Sequence, residues 1–156
     1  MPSENEAQQP FRVLAAIDFS ACSRLALRTA IELFHGRRLE VFLLHVVDKR
    51  LVDECVKHCL DGKVDLRKDF FTDARKKIEA LIEEELAGLA VHPLLCQGIP
   101  FHQINLQAEK YDVDVIVIGS CGMTGDPDAI FFGGTTERVV RFIRRPVLCI
   151  PPRGRE

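Results

Sequence analysis

The chain has 156 residues, 47% of them apolar and 28% charged, the balance of a soluble globular protein long enough to bury a core without disulfides or a structural metal. Its 21 Lys and Arg against 23 Asp and Glu give a formal charge of −2, with no Trp and one Tyr, which argues against a general nucleic-acid binder, normally basic overall. No apolar run approaches the roughly 18 residues of a membrane helix, and the polar, acidic Met1-Pro2-Ser3-Glu4-Asn5-Glu6 lacks the apolar stretch of a signal peptide, so a cytoplasmic protein is expected, with no membrane and no nucleic-acid partner.

Residues 1–10 carry two prolines and read as a flexible N-terminal tail. Phe11-Arg12-Val13-Leu14-Ala15-Ala16-Ile17 is a short, largely buried strand. It stops at Asp18-Phe19-Ser20, where Ser20 is placed to cap a helix. Leu25, Ala26, Thr29, Ala30, Leu33 and Phe34 recur at helical spacing, and Gly36 ends that helix. Leu39 to Val47 is a second strand, apolar on both faces as a central parallel strand requires.

Residues 48–65 are mixed and charged and read as a loop with a short helix. From Leu66 a longer helix shows one apolar stripe, Leu66, Phe70, Ala74, Ile78, Leu81, Ile82, Leu86 and Leu89, with Gly88 at its end. Ala90 to Cys96 is a third strand that Pro93 confines to a sheet edge. Pro100 falls in the first turn of a helix running to about Tyr111, and Val113 to Ile118 is a fourth strand. A long loop, Gly119 to Gly134, leads to a helix from about Thr135 to Arg145, which Pro146 ends before the fifth strand, Val147 to Ile150. Strands alternating with helices predict a single α/β domain, a parallel sheet with helices on both faces. There is no internal repeat and no low-complexity tract.

In an open parallel sheet a ligand sits beyond the carboxyl ends of the strands, where the strand order reverses. The segments following strands one and four are Asp18-Phe19-Ser20 and Gly119-Ser120-Cys121-Gly122, and they face one crevice if those strands are neighbours. Gly119 and Gly122 let backbone amides approach an anion closely, and Gly133-Gly134-Thr135-Thr136 opens a helix whose N-terminus offers N–H groups and a partial positive charge. Glycine spacing alone is equally consistent with a flexible connection and ordinary helix caps. There is no P-loop Gly-x-x-x-x-Gly-Lys-Ser/Thr and no Gly-x-Gly-x-x-Gly after the first strand.

Taken in order, Val13-Leu14-Ala15-Ala16-Ile17-Asp18-Phe19-Ser20, Leu43-Leu44-His45-Val46-Val47-Asp48, Gly98-Ile99-Pro100, Asp112-Val113-Asp114-Val115-Ile116-Val117-Ile118-Gly119-Ser120, Gly133 with Thr136-Glu137-Arg138-Val139, and Arg145-Pro146-Val147-Leu148 resemble the universal stress proteins of the UspA superfamily. The resemblance is closest to the ATP-binding branch, with a modified glycine motif. It implies a Rossmann-like domain over residues 11–152 and a five-stranded parallel sheet of order 3-2-1-4-5. It also implies a homodimer with fifth strands paired across the interface, and a pattern Gly-x2-Gly-x9-Gly-Ser/Thr that holds ATP or another adenine nucleotide. Gly119, Gly122 and Gly133 match its glycines, with ten residues rather than nine before the third, and Gly134 followed by Thr135 and Thr136 where the pattern has Ser or Thr. The resemblance places Asp18 near the adenosine, Val46 against the adenine, and Gly119, Gly122, Gly133, Gly134, Thr135 and Thr136 around ribose and phosphates. The loop also holds Asp126 and Asp128, which repel a triphosphate unless they lie outside the site or hold a divalent ion such as Mg.

Other signals have plainer readings. Cys55-x2-His58-Cys59 has metal-ligand spacing but no second ligand pair nearby. Cys121 lies in the glycine loop and reads as a small loop residue; the alternative is a redox role, if nearby amides lower its pKa. Cys22, Cys96 and Cys149 read as buried free thiols. His45, within a strand, reads as a packed, hydrogen-bonded side chain. Arg138, Arg141, Arg144 and Arg145 cluster on the last helix as a solvated or dimer-facing surface. No catalytic relay is assigned. Three functions stay open: an adenine-nucleotide binding module in stress response or signalling, a non-nucleotide interaction protein of the same fold with an unknown protein partner, and a slow ATPase.

Overall fold

The computed structural model describes residues 9–58, 66–122 and 133–153. Its elements are β1 (Phe11–Ala16), α1 (Ala21–Leu33), β2 (Leu39–Asp48), α2 (Lys49–His58), α3 (Leu66–Glu85), β3 (Ala90–Gly98), α4 (Pro100–Lys110), β4 (Val115–Gly119), α5 (Gly134–Arg141) and β5 (Val147–Ile150). The strands form one sheet in the order β3-β2-β1-β4-β5, and every neighbouring pair is parallel. This is the order and fold class expected from the sequence. Val13 of the central strand pairs with Val41 on one side and Val115 on the other, so the order reverses between β1 and β4.

Alternation along the strands divides the interior into two layers. Val13, Ala15, Val41, Leu43 and Val117 pack with Ala26, Leu27, Ile78 and Leu81 of α1 and α3. Leu14, Phe42, Leu44, Ile116 and Ile118 pack with Ile104, Ala108 and Val139 of α4 and α5. Both faces of β1, β2 and β4 are therefore buried, which is why those strands read as continuous apolar runs. Pro93 lies on β3, an edge strand, where its missing N–H costs least. Gly36, at φ +88°, turns the chain out of α1 in a conformation that side chains disfavour.

Several boundaries differ from the sequence reading. Residues 49–58 form a ten-residue helix, where a loop with a short helix was expected; only Val52 of α2 is buried, so the apolar signal was faint. β4 begins at Val115 rather than Val113, because Val113 still donates its N–H to Ala108 O in the turn ending α4. The last helix stops at Arg141, where Phe142 N bonds Arg138 O. Arg144 and Arg145 are thus off the helix and pair with Glu109 (3.7 Å) and Asp112 (2.8 Å). The expected tail falls largely on residues 1–8, outside the described residues.

Leu43 is completely buried between β1 and β3, whereas Leu33, at the end of α1, is 61% exposed. Leu43→Ala is expected to lower unfolding free energy by about 2–5 kcal/mol in urea titration, and Leu33→Ala to change it by less than about 0.5 kcal/mol.

Candidate functional site

The site is built by the turn after β1. Ile17 N donates to Leu44 O (2.8 Å), and there β1 leaves the sheet. Phe19 then takes φ +65°, a left-handed conformation uncommon for a bulky residue. Ser20 caps α1 by accepting from Ser23 N (3.2 Å). Asp18 Oδ1 accepts from Ser20 N (3.0 Å) and from the Ser20 hydroxyl. The carboxylate is thereby fixed at the mouth of the crevice between β1 and β4.

The opposite wall is the end of β4. Gly119 admits no side chain: a Cβ there would lie 2.9 Å from Cys22 Sγ and 3.1 Å from the Cys22 backbone, so its absence lets α1 seat against β4. Gly122 lies against the Asp18 carboxylate, whose Oδ2 is 2.8 Å from where a Cβ would be. Two bonds tie the start of α5 back to this strand end, Gly133 N to Ser120 O and the Thr136 hydroxyl to Gly119 O, each 2.8 Å. Gly133 at the N-cap has no side chain to satisfy the first N–H groups of α5, so these groups and the positive end of the helix are offered to whatever fills the crevice.

The crevice has a volume of about 600 Å³, within the range of small-molecule sites. Asp18, Val46, Gly119, Gly122, Gly133, Gly134, Thr135 and Thr136, all eight residues singled out from the sequence, line it. Val46 sits past the end of β1. Its N–H and C=O point to the same side as those of Leu44, toward the place β1 has vacated, while its side chain packs on the α4/α5 layer. Thr136 is 3% exposed and its hydroxyl is already donated to Gly119 O, so what it can offer a ligand is its backbone N–H.

The sequence reading missed the wall contributed by α2 and α3. Leu51, Phe70, Asp73, Ala74 and Lys77 also line the crevice. Phe70, Asp73, Ala74 and Lys77 stand at i, i+3, i+4 and i+7 and so share one helix face; the polar pair interrupting an otherwise apolar stripe was the available signal. Lys77 pairs with Asp73 (2.9 Å) and sits 5.6 Å above the Phe19 ring. Phe19 in turn packs on His45, ring centroids 4.8 Å apart.

His45 Nδ1 lies 2.7 Å from Ile17 O and donates to it, as a carbonyl requires. Burial lowers the imidazole below its ordinary pKa, outweighing the opposing effects of that bond and of Asp18, so the ring is neutral near pH 7. Asp48 is raised by burial but lowered further by its hydrogen bonds and ion pair with Arg50 (2.9 Å), and stays ionised. Cys121 is not an activated thiol, in keeping with its plainer reading as a small loop residue. Its pKa is raised to about 11, first by burial, then by the Cys22 thiol and the charge of Asp18, so the loop amides do not make it a thiolate. Cys22 is buried as expected, Cys96 and Cys149 are half-buried, and Cys55 is exposed; Cys59, its partner in the spacing noted above, lies outside the described residues, as do Asp126 and Asp128.

The sequence model of the universal stress protein family matches residues 11–151. Universal stress protein MJ0531 of Methanocaldococcus jannaschii is 31% identical over 143 residues, 89% of this chain and 81% of that protein. Universal stress protein MJ0577 of the same organism is 29% identical over 152 residues, 89% of this chain and 93% of that protein. The solved structure of MJ0577 superposes with a TM-score of 0.79 at 30% identity, covering 92% of this chain and 97% of that one. The universal stress protein of Archaeoglobus fulgidus, solved in complex with dAMP, shares the fold at 21% identity and a TM-score of 0.57, over 92% of this chain and 98% of that one.

Because the His45 pKa is lowered in the fold, the unfolded chain binds the proton more readily. The stability this neutral ring contributes is complete above about pH 6.5, the ordinary histidine value, and is lost as pH falls toward the lowered folded value. Melting temperature is expected to drop between about pH 7 and pH 5, and His45→Gln to flatten that part of the profile, followed by circular dichroism.

Proposed function

The chain belongs to the universal stress protein family, and we propose that within it this protein is an adenine-nucleotide binding module. The observation that carries the reading is the convergence of Asp18, the Gly119–Gly122 turn and the side-chain-free N-terminus of α5 on one crevice. An adenine nucleotide needs three different surfaces, and the crevice offers all three. Val46 supplies a backbone donor and acceptor beside apolar side chains for the flat base. Asp18 supplies a carboxylate that accepts from ribose hydroxyls. The N–H groups of Gly134, Thr135 and Thr136, with the Thr135 hydroxyl, supply neutral donors for a phosphate. Gly119, Gly122 and Gly133 keep the floor low enough for the ligand to reach them. A protein of the same fold in complex with dAMP and another in complex with cAMP support the reading.

Asp18 is held by the Ser20 turn before any ligand arrives, so its acceptor positions need little reorganisation. Binding that favours one arrangement of the crevice shifts the population toward it, and this is how a binding module would report a cellular state to a protein partner in the cytoplasm. The second element of the proposal is a homodimer. Among the described residues β5 is hydrogen-bonded to β4 on one side only, and Phe142 (55%) and Ile143 (51%) are exposed just before it. An open strand edge flanked by apolar side chains is suited to pairing with a second copy.

Native mass spectrometry with added AMP or Mg-ATP is expected to show a dimer carrying one nucleotide per chain. Asp18→Ala is expected to weaken retention by about tenfold or more, the worth of hydrogen bonds to a charged acceptor, while the dimer persists. A dimer that ignores millimolar nucleotide contradicts the binding reading and favours an interaction protein of the same fold.

A further inference from the structure

The charges around the crevice are unbalanced for a polyphosphate. Asp18, Asp48 and Asp73 place three carboxylates in its described lining, and Lys77 is the one ammonium or guanidinium there. That ammonium is already paired with Asp73 at 2.9 Å. His45, the remaining titratable base, is neutral near pH 7 because it is buried. Nor does the rest of the glycine loop supply a cation: from Gly119 to Glu137 the sequence contains no Lys and no Arg. The next basic residues, on α5, are turned to other work. Arg138 lies 5.6 Å from the Phe101 ring centroid and Arg141 bonds Glu137.

Among the described residues, what faces a phosphate is therefore neutral backbone plus the end of one short helix, equivalent to about half a positive charge. Asp18 presses on the same place: its Oδ2 is 2.8 Å from the position a Gly122 Cβ would take, so a chain of phosphates leaving the ribose over Gly122 must pass a fixed carboxylate. One phosphate at the α5 N-terminus is matched by that half charge and by directed N–H groups. Each further phosphate brings negative charge that no unpaired cation of the described lining meets, and is repelled by the carboxylates.

We infer that this crevice selects adenosine monophosphates over ADP and ATP, and that a divalent cation bridging the phosphates to the carboxylates reduces the penalty on a triphosphate. The inference rests on the nucleotide reading and narrows it to a ligand class. Asp73 and Lys77 act on the preference as a pair, since Asp73 both adds negative charge and occupies the single ammonium.

Isothermal titration of the full chain with AMP, ADP and ATP, each in EDTA and in excess Mg²⁺, tests the preference. The expected result in EDTA is affinity falling from AMP to ADP to ATP, with ATP weaker than AMP by roughly tenfold or more, and a narrowing of that gap in Mg²⁺. Asp73→Asn, an exposed change on α3 that releases Lys77, is expected to bring ATP several-fold closer to AMP in EDTA. ATP binding in EDTA as tightly as AMP overturns the inference and leaves the nucleotide reading standing. An Asp73→Asn variant with an unchanged ATP-to-AMP ratio removes the role given to Lys77 and overturns the charge argument. No binding of any of the three nucleotides, in a protein whose melting curve is normal, overturns the nucleotide reading and this inference with it.

Discussion

Everything at the crevice end of this molecule depends on how closely α1 approaches the end of β4. Gly119 permits that approach, because a single methyl group there would collide with both the side chain and the backbone of Cys22. With α1 seated against β4, the turn that precedes it is forced to be short. It is made with a left-handed Phe19 and a serine cap at Ser20, and the carboxylate of Asp18 is delivered beside Gly122. The same strand end receives α5 through the bonds to Ser120 O and Gly119 O. Two helices of opposite faces thus converge on one strand terminus, and a crevice opens between them at the point where the strand order reverses.

Much of this was legible in the sequence because the physical demands were local and one-dimensional. Strands buried on both faces leave runs such as Val41–Val47, and a proline such as Pro93 assigns its strand to an edge. Glycines close to strand ends marked Gly119 and Gly122 before their neighbours were known. The reversal between β1 and β4 followed from the family resemblance, not from any one of these runs.

What was not legible depends on residues distant in sequence. The α2–α3 wall comes from a region in which only Val52, Ala74, Ile78 and Leu81 are buried within the helices, so periodicity gave little warning that Phe70, Asp73 and Lys77 turn toward the crevice. The sequence alone left the redox alternative for Cys121 open for a related reason. Glycine amides were visible in the sequence, but the burial and the Cys22 and Asp18 neighbours that raise its pKa were not. The last helix was read too long because Pro146 is its stop signal in the sequence, whereas the chain leaves the helix at Phe142 and Arg144 and Arg145 are engaged by Glu109 and Asp112 outside it.

The central claim is that the base lies along Val46 while the phosphate lies at the start of α5, two places brought together only by the fold. Amide chemical shifts of isotope-labelled protein titrated with AMP test it most directly. The account predicts that the N–H signals of Val46, Gly122, Gly134, Thr135 and Thr136 move together, with one saturation curve, while those of β3 and the α1 C-terminus stay in place. Shifts confined to another face of the molecule, or movement at α5 without movement at Val46, would contradict it.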